Sequence, residues 1–329
     1  MTHDLSAVIV AWNAGDALTG CVESLRESSR REGAALQVVI VDNASSDSAV
    51  DSMLLEADDV VIRNPVNAGY GVAVAQGLAR STAPWILLAN PDLVVDPRFV
   101  NSLLVAAKQA APDVATLVPE LRFAARPDIV NCRGLTVDEV GVPAEVDAGT
   151  RVASDAVATA TILGGSSGCC LLRADHVRAL GGPEPMFFAY LEDVDLALRL
   201  RCAGYETLFV PEAVAFHEGS ASTGARSPLK VFLVARNRRL LFRLHGPRSL
   251  RATSWRVLVD TAHAGYSTLD TPLAPWAGRM EALRFRRYTA FLRRARKRTE
   301  PCHADFDRAP RASLAATLRR KRSVIAEDG

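Results

Sequence analysis

The sequence predicts an α/β protein with a doubly wound, mostly parallel, Rossmann-like sheet and a helical C-terminal extension. Short apolar runs alternate with helical patterns through the first 120 residues. The runs are nearly all apolar, which is typical of strands that helices cover on both faces. A chain of 329 residues, 49% hydrophobic and 23% charged, has ordinary globular composition and suits one large domain with an extension. This composition excludes a disordered chain, a collagen and a small disulfide scaffold.

The first half is predicted to alternate strand and helix, joined by right-handed crossovers. We predict strands at 5–12, 36–41, 59–63, 85–89 and 114–118. The intervening helices are predicted at 16–30, 46–56, 69–80 and 97–110. Residues 121–160 are rich in glycine, proline and charge, which indicates loops and hairpins before another strand at 161–173.

The second half is predicted to contain fewer strands and longer helices. A helix at 192–203 has acidic residues in its first turn and stops at Gly204. We then predict strands at 206–210 and 213–217, an amphipathic helix at 228–245, a basic helix at 279–298 and disorder from about 301. The predicted domains are 1–225, divided into halves of about 1–120 and 121–225, and a basic extension at 226–329.

The net charge of +2 hides a strong asymmetry along the chain. Residues 1–220 hold 15 basic and 29 acidic side chains, a net charge of −14. Residues 221–329 hold 24 basic and 8 acidic side chains, a net charge of +16. A basic tail predicts contact with membrane phospholipid, a phosphorylated acceptor or nucleic acid. An equally weighted alternative is a solvated basic helix lying against the acidic body.

Cysteine usage and hydropathy predict a cytoplasmic protein. The six cysteines show neither C-x-x-C pairs nor a histidine at metal-ligand spacing, which favours free, mostly buried thiols in a reducing compartment. No basic segment leads into a long apolar run, so we predict no signal peptide. The longest uncharged stretch, 156–172, is interrupted by glycines and is too short to span a bilayer.

Polar residues follow each of the first four strand patterns. Ligands of an open parallel sheet bind beyond the carboxyl ends of its strands. Each pair alone is compatible with a plain turn, but four at one rim predict a site for a polar ligand. The residues are Trp12 and Asn13, Asp42 and Asn43, Asn67 and Gly69, and Asn90 and Asp92.

The residue types at this rim suit a nucleotide. Asp42 is able to accept a hydrogen bond from the imide N–H of a uracil or thymine ring. Trp12 is able to cover the face of such a ring, and the equal alternative is that Trp12 is an aromatic residue of the core. The turn at Gly69 and Gly71 allows close backbone approach and opens a helix whose N–H groups favour phosphate. The chain lacks G-x-G-x-x-G after the first strand and a Walker sequence, which argues against a dinucleotide enzyme and a P-loop ATPase.

Carboxylates at two places suggest metal binding and general-base chemistry. Asp92, directly behind an apolar strand, is placed to hold Mg²⁺ or Mn²⁺ together with a diphosphate, or else to cap its own loop. Glu192, Asp193 and Asp195 lie together at one helix start after an aromatic run. Ordinary enrichment of acids at helix N-termini explains one or two of them, and the group suits a general base. His217, at a strand end, is a metal ligand or, taken alone, a structural histidine.

The motifs together resemble the inverting family 2 glycosyltransferases with a GT-A fold, in the rhamnosyltransferase-like branch. The resemblance covers about residues 5–245. It depends on an ordered series that begins Val-Ile-Val-Ala-Trp-Asn at 8–13 and Val-Ile-Val-Asp-Asn-Ala-Ser-Ser-Asp at 39–47. The series continues with Asn-Pro-Val-Asn-Ala-Gly-Tyr-Gly at 64–71, Leu-Leu-Ala-Asn-Pro-Asp at 87–92, Gly-Gly-Pro at 181–183, Phe-Phe-Ala-Tyr-Leu-Glu-Asp-Val-Asp-Leu-Ala-Leu-Arg at 187–199, and Pro-Glu-Ala at 211–213 with His217.

The resemblance implies a role for each matched position. Asp193 is implied as the catalytic base, with Glu192 as the alternative, and Tyr190 and Asp195 lie on the acceptor side. Asp92 and His217 are implied as ligands of Mg²⁺ or Mn²⁺. The implied donor-binding residues are Trp12, Asn13, Asp42, Asn43, Asn67, Gly69, Asn90 and Asp92.

The resemblance also implies substrates and a location. The donor is a dTDP- or UDP-sugar, and Asn90-Pro91-Asp92, in place of the family's D-x-D, favours dTDP-rhamnose. The family's frequent Pro-Thr-Tyr-Asn opening is Val-Ala-Trp-Asn here. The implied acceptor is a polyprenyl-diphosphate-linked glycan of cell-wall or polysaccharide assembly, with the basic helices on the inner membrane face.

Three other functions are compatible with parts of the pattern. The acceptor is alternatively a soluble natural product, or the chain is a non-catalytic nucleotide-sugar-binding protein. A sugar-1-phosphate nucleotidyltransferase would have a glycine-rich loop with arginine and lysine after the first strand, where this chain has Asn13-Ala14-Gly15-Asp16. Nucleic acid is not expected as a partner, because aromatic and basic residues are not interleaved.

Overall fold

The structure is a computed structural model that describes residues 3–137, 142–152, 162–217, 227–246, 253–254, 257–258, 261 and 273–296. The strands are β1 Leu5–Ala11, β2 Leu36–Asp42, β3 Val60–Arg63, β4 Trp85–Ala89, β5 Leu93–Val95, β6 Val114–Phe123, β7 Arg126–Cys132, β8 Leu135–Val137, β9 Pro143–Glu145, β10 Cys169–Arg173 and β11 Glu206–His217. The helices are α1 Ala17–Arg31, α2 Tyr70–Arg80, α3 Phe99–Gln109, α4 Ala174–Ala179, α5 Glu192–Cys202, α6 Pro228–His245, α7 Ala274–Glu281 and α8 Arg286–Arg296, with 3₁₀ turns at Pro185–Phe187 and Ala282–Phe285.

One nine-stranded sheet organises the described residues. Its order is β3-β2-β1-β4-β10-β6-β11-β5, and β7 pairs with β6 outside this path. β1, β2, β3, β4, β6 and β11 run in one direction, whereas β5, β7 and β10 run in the other. The predicted mostly parallel α/β sheet is therefore confirmed.

Helices cover both faces of this sheet because its central strands are apolar on both sides. Every residue of β1 is buried. Alternate residues of β1 face two cores, one with Leu5 and Ile9 against α1 and α3 and one with Val8 and Val10 against α2 and α4. The stripe Leu18, Cys21, Val22 and Leu25 of α1 follows the helical period and is buried in the first core.

A third core joins α5 and α6, which places the start of the predicted extension within the folded body. Val194 and Leu198 of α5 pack in one buried cluster with Leu240 and Leu241 of α6. α6 and α7 also pack closely, since a Cβ added at Gly278 would lie 2.1 Å from the carbonyl oxygen of Phe232. The predicted boundary at 225/226 thus precedes a helix that belongs to the same hydrophobic core.

The predicted helix at 46–56 is wrong. The residues there form a bend at 46–48, a turn at 49–52 and irregular chain at 53–56. Their polar groups bind the loop after β1: Ser46 N donates to Asn13 Oδ1 at 2.7 Å, and Asp47 Oδ2 accepts from Gly15 N at 2.9 Å. Serine and aspartate compete with helical hydrogen bonds in this way.

Several further boundaries differ from the prediction. β5 was not predicted. β7 lies within 121–160, where hairpins were expected without individual strand bounds. The strands predicted at 206–210 and 213–217 form one bulged strand, β11, and the strand predicted from 161 begins at Cys169. The basic helix predicted at 279–298 is divided into α7, a 3₁₀ turn and α8. The predicted disorder from 301, together with Cys302, lies outside the described residues.

The described cysteines are free thiols. Cys21, Cys132, Cys169 and Cys170 are buried, and Cys202 is half-buried. Within the described ranges no helix has the length and hydropathy needed to cross a membrane.

Candidate active site

A cavity of about 720 Å³ opens beyond the carboxyl ends of β1 and β4. Its walls include the loops after β1, β2, β3 and β4, the β8–β9 hairpin, the segment 166–168, the start of α5 and the start of α6. Ten of the thirteen predicted site residues line it: Trp12, Asn13, Asn43, Asn67, Asn90, Asp92, Tyr190, Glu192, Asp193 and His217. Asp42, Gly69 and Asp195 lie outside the lining.

The loop after β1 is fixed to the loop after β2. Asn13 has a φ of 52°, a left-handed conformation that asparagine tolerates better than most residues. Its backbone N–H donates to Ser45 Oγ at 3.1 Å, and its side-chain oxygen accepts from the N–H and hydroxyl of Ser46. The half-buried ring of Trp12 is consequently held at the cavity wall.

Asparagine side chains fix the loop after β3. Asn43 Nδ2 donates to Asn67 Oδ1 at 2.9 Å, and Asn43 Oδ1 accepts from Ala68 N at 3.0 Å. Gly69 N donates to Asn67 Oδ1 at 3.0 Å. Gly69 has a φ of 88°, and an added Cβ would lie 2.6 Å from the Phe188 ring, so only glycine fits there without movement.

Asp42 lies beside the cavity. Its Oδ1 accepts from Ser45 N at 2.9 Å, and its Oδ2 accepts from Arg63 Nη1 at 3.2 Å. The side chain therefore holds the β2 and β3 ends together. Its contact with a nucleobase stays a prediction.

Asp92 and His217 form a pair at the other side of the cavity. β11 pairs with β5 so that His217 is opposite Leu93, which brings His217 Nε2 to 3.2 Å from Asp92 Oδ1. These two atoms do not form a hydrogen bond with each other, and both are buried without a hydrogen-bond partner, as is His217 Nδ1. One carboxylate oxygen and one imidazole nitrogen, buried and unsatisfied, fit a divalent cation completed by substrate oxygens. No group of three or more His, Cys, Asp or Glu in the described ranges is arranged to hold a metal.

Glu192 and Asp193 enter the cavity at the start of α5. Asp193 Oδ2 accepts from Ser167 N at 3.1 Å and its Oδ1 from Val194 N at 2.8 Å. Burial raises the pKa of Asp193, and these N–H groups oppose that rise. Burial, and then the adjacent Asp193, raise the pKa of Glu192 to about 8, and its Oε2 is buried without a hydrogen bond. Of these two acids, Asp193 is therefore the one whose negative charge is better stabilised by hydrogen bonds.

Replacing Glu192 with glutamine should flatten the pH dependence of stability. Between the ordinary glutamate pKa of 4.5 and about 8, the unfolded chain has an ionised Glu192 and the folded chain a protonated one. Rising pH therefore favours unfolding, by roughly 1.4 kcal/mol for each pKa unit that separates the two states. The E192Q variant lacks this loss. Urea unfolding at pH 5, 6.5 and 8 measures it, with exposed Glu27→Gln as the control. Parallel curves for wild type and E192Q would contradict the assignment.

The segment before α5 has an unusual backbone. Phe188, Tyr190 and Leu191 all have φ between 64° and 68°. Side chains with a Cβ rarely adopt this conformation, which persists only where surrounding contacts impose it. The turn points Tyr190 into the cavity and starts α5 so that Glu192 and Asp193 face the same space.

Helix α6 supplies the contacts that impose this backbone. The buried Asn237 Nδ2 lies 2.7–2.8 Å from the carbonyl oxygens of Phe187, Ala189 and Tyr190. Arg236 Nε donates to Asn237 Oδ1 at 2.9 Å, which orients the amide. The sequence analysis missed both residues, because their positions fall in a helix interpreted as a basic extension.

Asp195 connects α5 to the other end of α6. It is fully buried; Arg199 Nε donates to its Oδ2 at 2.8 Å, and His245 Nε2 lies 2.7 Å from its Oδ1. Arg199 also donates to the carbonyl oxygens of Leu180 and Gly182. The placement of Asp195 on the acceptor side stays a prediction; in the structure its side chain has no exposed surface, and its two oxygens contact Arg199 of α5 and His245 of α6.

Two charged residues of the cavity were also missed. Lys230 of α6 lies with its Nζ 5.5 Å from the centre of the Tyr190 ring, and Glu145 lies at the end of β9. Lys230 is one of only four lysines in the chain, and this rarity was the one feature of the sequence that could have drawn attention to it. Nothing in the sequence near Glu145 indicated a site.

Comparison with known proteins gives a consistent family. The family model described as "Glycosyl transferase family 2" matches residues 6–181. A curated relative from Mycobacterium tuberculosis, named N-acetylglucosaminyl-diphospho-decaprenol L-rhamnosyltransferase, is 28% identical over 248 residues, which cover 68% of this chain and 79% of that protein.

Solved structures support the fold. A mannosyltransferase from Pyrobaculum calidifontis in complex with GDP-Man and Mn²⁺ has a TM-score of 0.51 at 15% identity, covering 99% of this chain and 81% of that one. S. aureus TarS 1-349 in complex with UDP-GlcNAc has a TM-score of 0.52 at 15% identity, covering 86% and 80%. At these identities the likeness concerns the fold alone, and it confirms the expected GT-A architecture.

Proposed function

This chain belongs to glycosyl transferase family 2, and we propose that it transfers a sugar from a nucleoside diphosphate to an acceptor hydroxyl with inversion at the anomeric carbon. The observation that carries the proposal is that the buried Glu192 and the half-buried Asp193 line the same cavity as the Asp92–His217 pair. One wall therefore offers a base, and another offers a site for the anionic leaving group.

The reaction needs one displacement. The acceptor oxygen forms a bond to the anomeric carbon as the bond from that carbon to the diphosphate oxygen breaks. The hydroxyl proton passes to Asp193, and the electron pair of the broken bond leaves with the nucleoside diphosphate. General-base assistance of this kind contributes about 10²–10⁴ in rate. A single displacement inverts the anomeric carbon and needs no covalent sugar–enzyme intermediate.

Asp92 and His217 would hold the metal, Mg²⁺ or Mn²⁺. A divalent cation there would stabilise charge on the departing diphosphate. Burial of the unsatisfied atoms at this pair supports the assignment. The neighbouring Asn90, whose N–H donates to Gly168 O at 2.8 Å, fixes the strand end that carries Asp92.

The proposed donor is dTDP-rhamnose. Support comes from the Asn-Pro-Asp sequence at 90–92 and from the name of the mycobacterial relative, an L-rhamnosyltransferase. Trp12, Asn13, Asn43 and Asn67 line the end of the cavity nearest β1 and β2, and we assign them to the nucleoside. Asp42 supports this end of the cavity and is proposed to contact the base.

The proposed acceptor is a sugar linked to a polyprenyl diphosphate, as in the name of that relative. This would place the protein in cell-wall or polysaccharide assembly. A soluble natural product is the alternative acceptor. The location at the inner, cytoplasmic membrane face predicted from the sequence stays a prediction.

We propose that the α7–α8 region rests on an anionic membrane surface. Exposed apolar side chains follow helical spacing along α7 and the adjoining 3₁₀ turn: Leu273, Trp276, Met280 and Leu283. The exposed Arg284, Arg286 and Arg287 follow directly. Apolar residues flanked by cations are typical of helices that lie in a membrane interface.

Reversing two of these charges should weaken membrane binding. Each arginine near an anionic surface contributes about 1 kcal/mol, so the double variant Arg284→Glu and Arg287→Glu should lose at least tenfold in binding. Flotation with vesicles of phosphatidylglycerol and phosphatidylcholine measures this. The matched control is Arg30→Glu with Arg31→Glu, exposed on α1. Equal flotation of both double variants would contradict the proposed surface.

The function is tested by a donor and acceptor screen. Purified protein is incubated with dTDP-rhamnose, UDP-GlcNAc or GDP-mannose, each with and without Mn²⁺. A donor that raises the melting temperature identifies the nucleotide. We expect dTDP release and a rhamnosylated product with an N-acetylglucosamine diphosphate prenyl acceptor, only when metal is present. Nucleotide binding without turnover on any donor would favour a non-catalytic binding protein.

A further inference from the structure

The first turns of α6 form one wall of the catalytic cavity. Leu229, Lys230, Leu233 and Val234 all line it. These positions share one side of the helix, because residues four apart are neighbours on a helical surface. Leu229 is also 47% exposed, so this wall extends from the cavity towards solvent.

The charges around the cavity are unequal. Five carboxylates line it: Asp47, Asp92, Glu145, Glu192 and Asp193. Among the described lining residues Lys230 is the single lysine or arginine. Burial lowers the pKa of Lys230, and Glu145 opposes that effect. A partly desolvated cation is thus held among acids, next to the ring of Tyr190 and in the same cavity lining as the proposed base.

The proposed function already assigns the donor diphosphate to Asp92 and His217. A lipid-linked acceptor carries a second diphosphate, and it also carries an apolar chain. The α6 wall offers a cation for an anionic group and the aliphatic side chains Leu229, Leu233 and Val234 for a hydrocarbon. The two halves of such a ligand therefore match the two kinds of residue on this wall.

We propose that Lys230 binds the diphosphate of the lipid-linked acceptor, while Leu229, Leu233 and Val234 contact the start of its prenyl chain. This inference rests on the proposed function and specifies its acceptor. It makes Lys230 the residue that distinguishes a diphosphate-linked sugar from a neutral glycoside.

Lys230→Met tests the proposal, with Lys108→Met on the exposed surface of α3 as the matched control. Transfer is measured to N-acetylglucosamine linked to farnesyl diphosphate and to octyl N-acetylglucosaminide. We expect the ratio of the two kcat/KM values to fall about tenfold to hundredfold, the range for losing a charged hydrogen bond. Lys230→Arg should recover part of the ratio, and Lys108→Met should leave it at the wild-type value.

Two results would overturn the assignment. An equal loss of kcat/KM on both acceptors would show that Lys230 does not bind the diphosphate of the acceptor. A higher KM for the donor with an unchanged acceptor ratio would place Lys230 at the donor diphosphate instead.

Direct binding separates this inference from the proposed function. Calorimetry with geranyl diphosphate and with geraniol needs neither a donor nor turnover. The wild type should bind the diphosphate, and Lys230→Met should bind it at least tenfold more weakly. Absence of donor turnover alongside this binding difference would contradict the transferase proposal and leave the Lys230 site standing. Equal binding by both proteins would refute the Lys230 site.

Discussion

Replacing Asp193 with asparagine should reduce sugar transfer about 10²–10⁴-fold, the usual contribution of a general base. Asparagine has nearly the same shape but cannot take the acceptor proton. Of the two cavity acids at the α5 start, Asp193 is the one whose oxygens both accept backbone N–H groups. Those contacts favour its ionised form against the burial that raises its pKa.

Donor binding should survive this substitution. Asp193 is proposed to approach the acceptor hydroxyl, whereas the proposed donor contacts are on the loops after β1, β2 and β4. Thermal shift with dTDP should therefore give the same increase in melting temperature for D193N and wild type. Rate loss without loss of nucleotide binding separates a missing base from a collapsed site.

A matched control is Asp175→Asn. Asp175 also lies in the first turn of a helix, α4, and is exposed away from the cavity. It should retain wild-type transfer. Turnover by D193N within about threefold of wild type would contradict the base assignment, and a large loss in E192Q instead would transfer the role to Glu192.

The acid limb of the pH profile should agree with this assignment. Burial raises the pKa of Asp193, so the value at which kcat/KM rises should lie above that of an ordinary aspartate. The activity falls below that pH because the base is protonated. This measurement uses the wild type and is independent of any substitution.

The fold and the cavity were largely predictable because strand ends are local features. The apolar runs define β1, β2 and β4, and the residues after them meet at one edge by the geometry of parallel strands. Trp12, Asn43 and Asp92 therefore reach one cavity even though they are separated by up to 80 positions. The order of the motifs also identified the family.

The other features of the fold and the site depend on contacts between residues distant in sequence, which the local sequence pattern does not indicate. The helix expected at 46–56 is replaced by turns because Ser46 and Asp47 bind the loop at 13–15, which propensity does not indicate. Asp195 shares the acid-rich helix start with Asp193, yet the helical period turns it inward against Arg199 and His245. Its burial and these two contacts could not be predicted from its place in the acid-rich helix start.

The role of α6 is the clearest example. The excess of positive charge after residue 220 indicated an extension, and that excess belongs mostly to residues beyond α6. Asn237, Arg236 and Lys230 are ordinary residues of an amphipathic pattern. Only the tertiary packing of α6 against the segment before α5 reveals their contacts.

Replacing Asn237 with alanine should destabilise the protein and disorder the segment that leads to the cavity acids Glu192 and Asp193. The three carbonyl oxygens that its amide reaches are those of Phe187, Ala189 and Tyr190. Each buried polar group left without a partner costs about 1–3 kcal/mol. Phe187 O keeps a hydrogen bond from Arg236 Nη2 at 2.6 Å, so the substitution removes the amide mainly from the carbonyl oxygens of Ala189 and Tyr190, and we expect a total loss of about 3 kcal/mol in the free energy of unfolding.

The effect on activity should exceed what unfolding explains. Phe188, Tyr190 and Leu191 hold a left-handed backbone that relaxes once the amide is removed. Under conditions where N237A remains folded, kcat should fall because Asp193 is no longer fixed at the cavity, while dTDP binding persists. Asn237→Ser, which keeps one shorter donor, should lie between alanine and wild type in both properties.

Asn101→Ala on α3 is the matched control, because it makes the same substitution within a helix at a half-buried position far from the cavity. Urea unfolding and transfer rates of this control should stay close to wild type, within about 0.5 kcal/mol for stability. If N237A lost stability but kept full kcat in its folded state, Asn237 would be a packing residue only. The backbone before α5 would then hold its conformation without α6, and the positioning of Asp193 would have to come from Ser167 and Val194 alone.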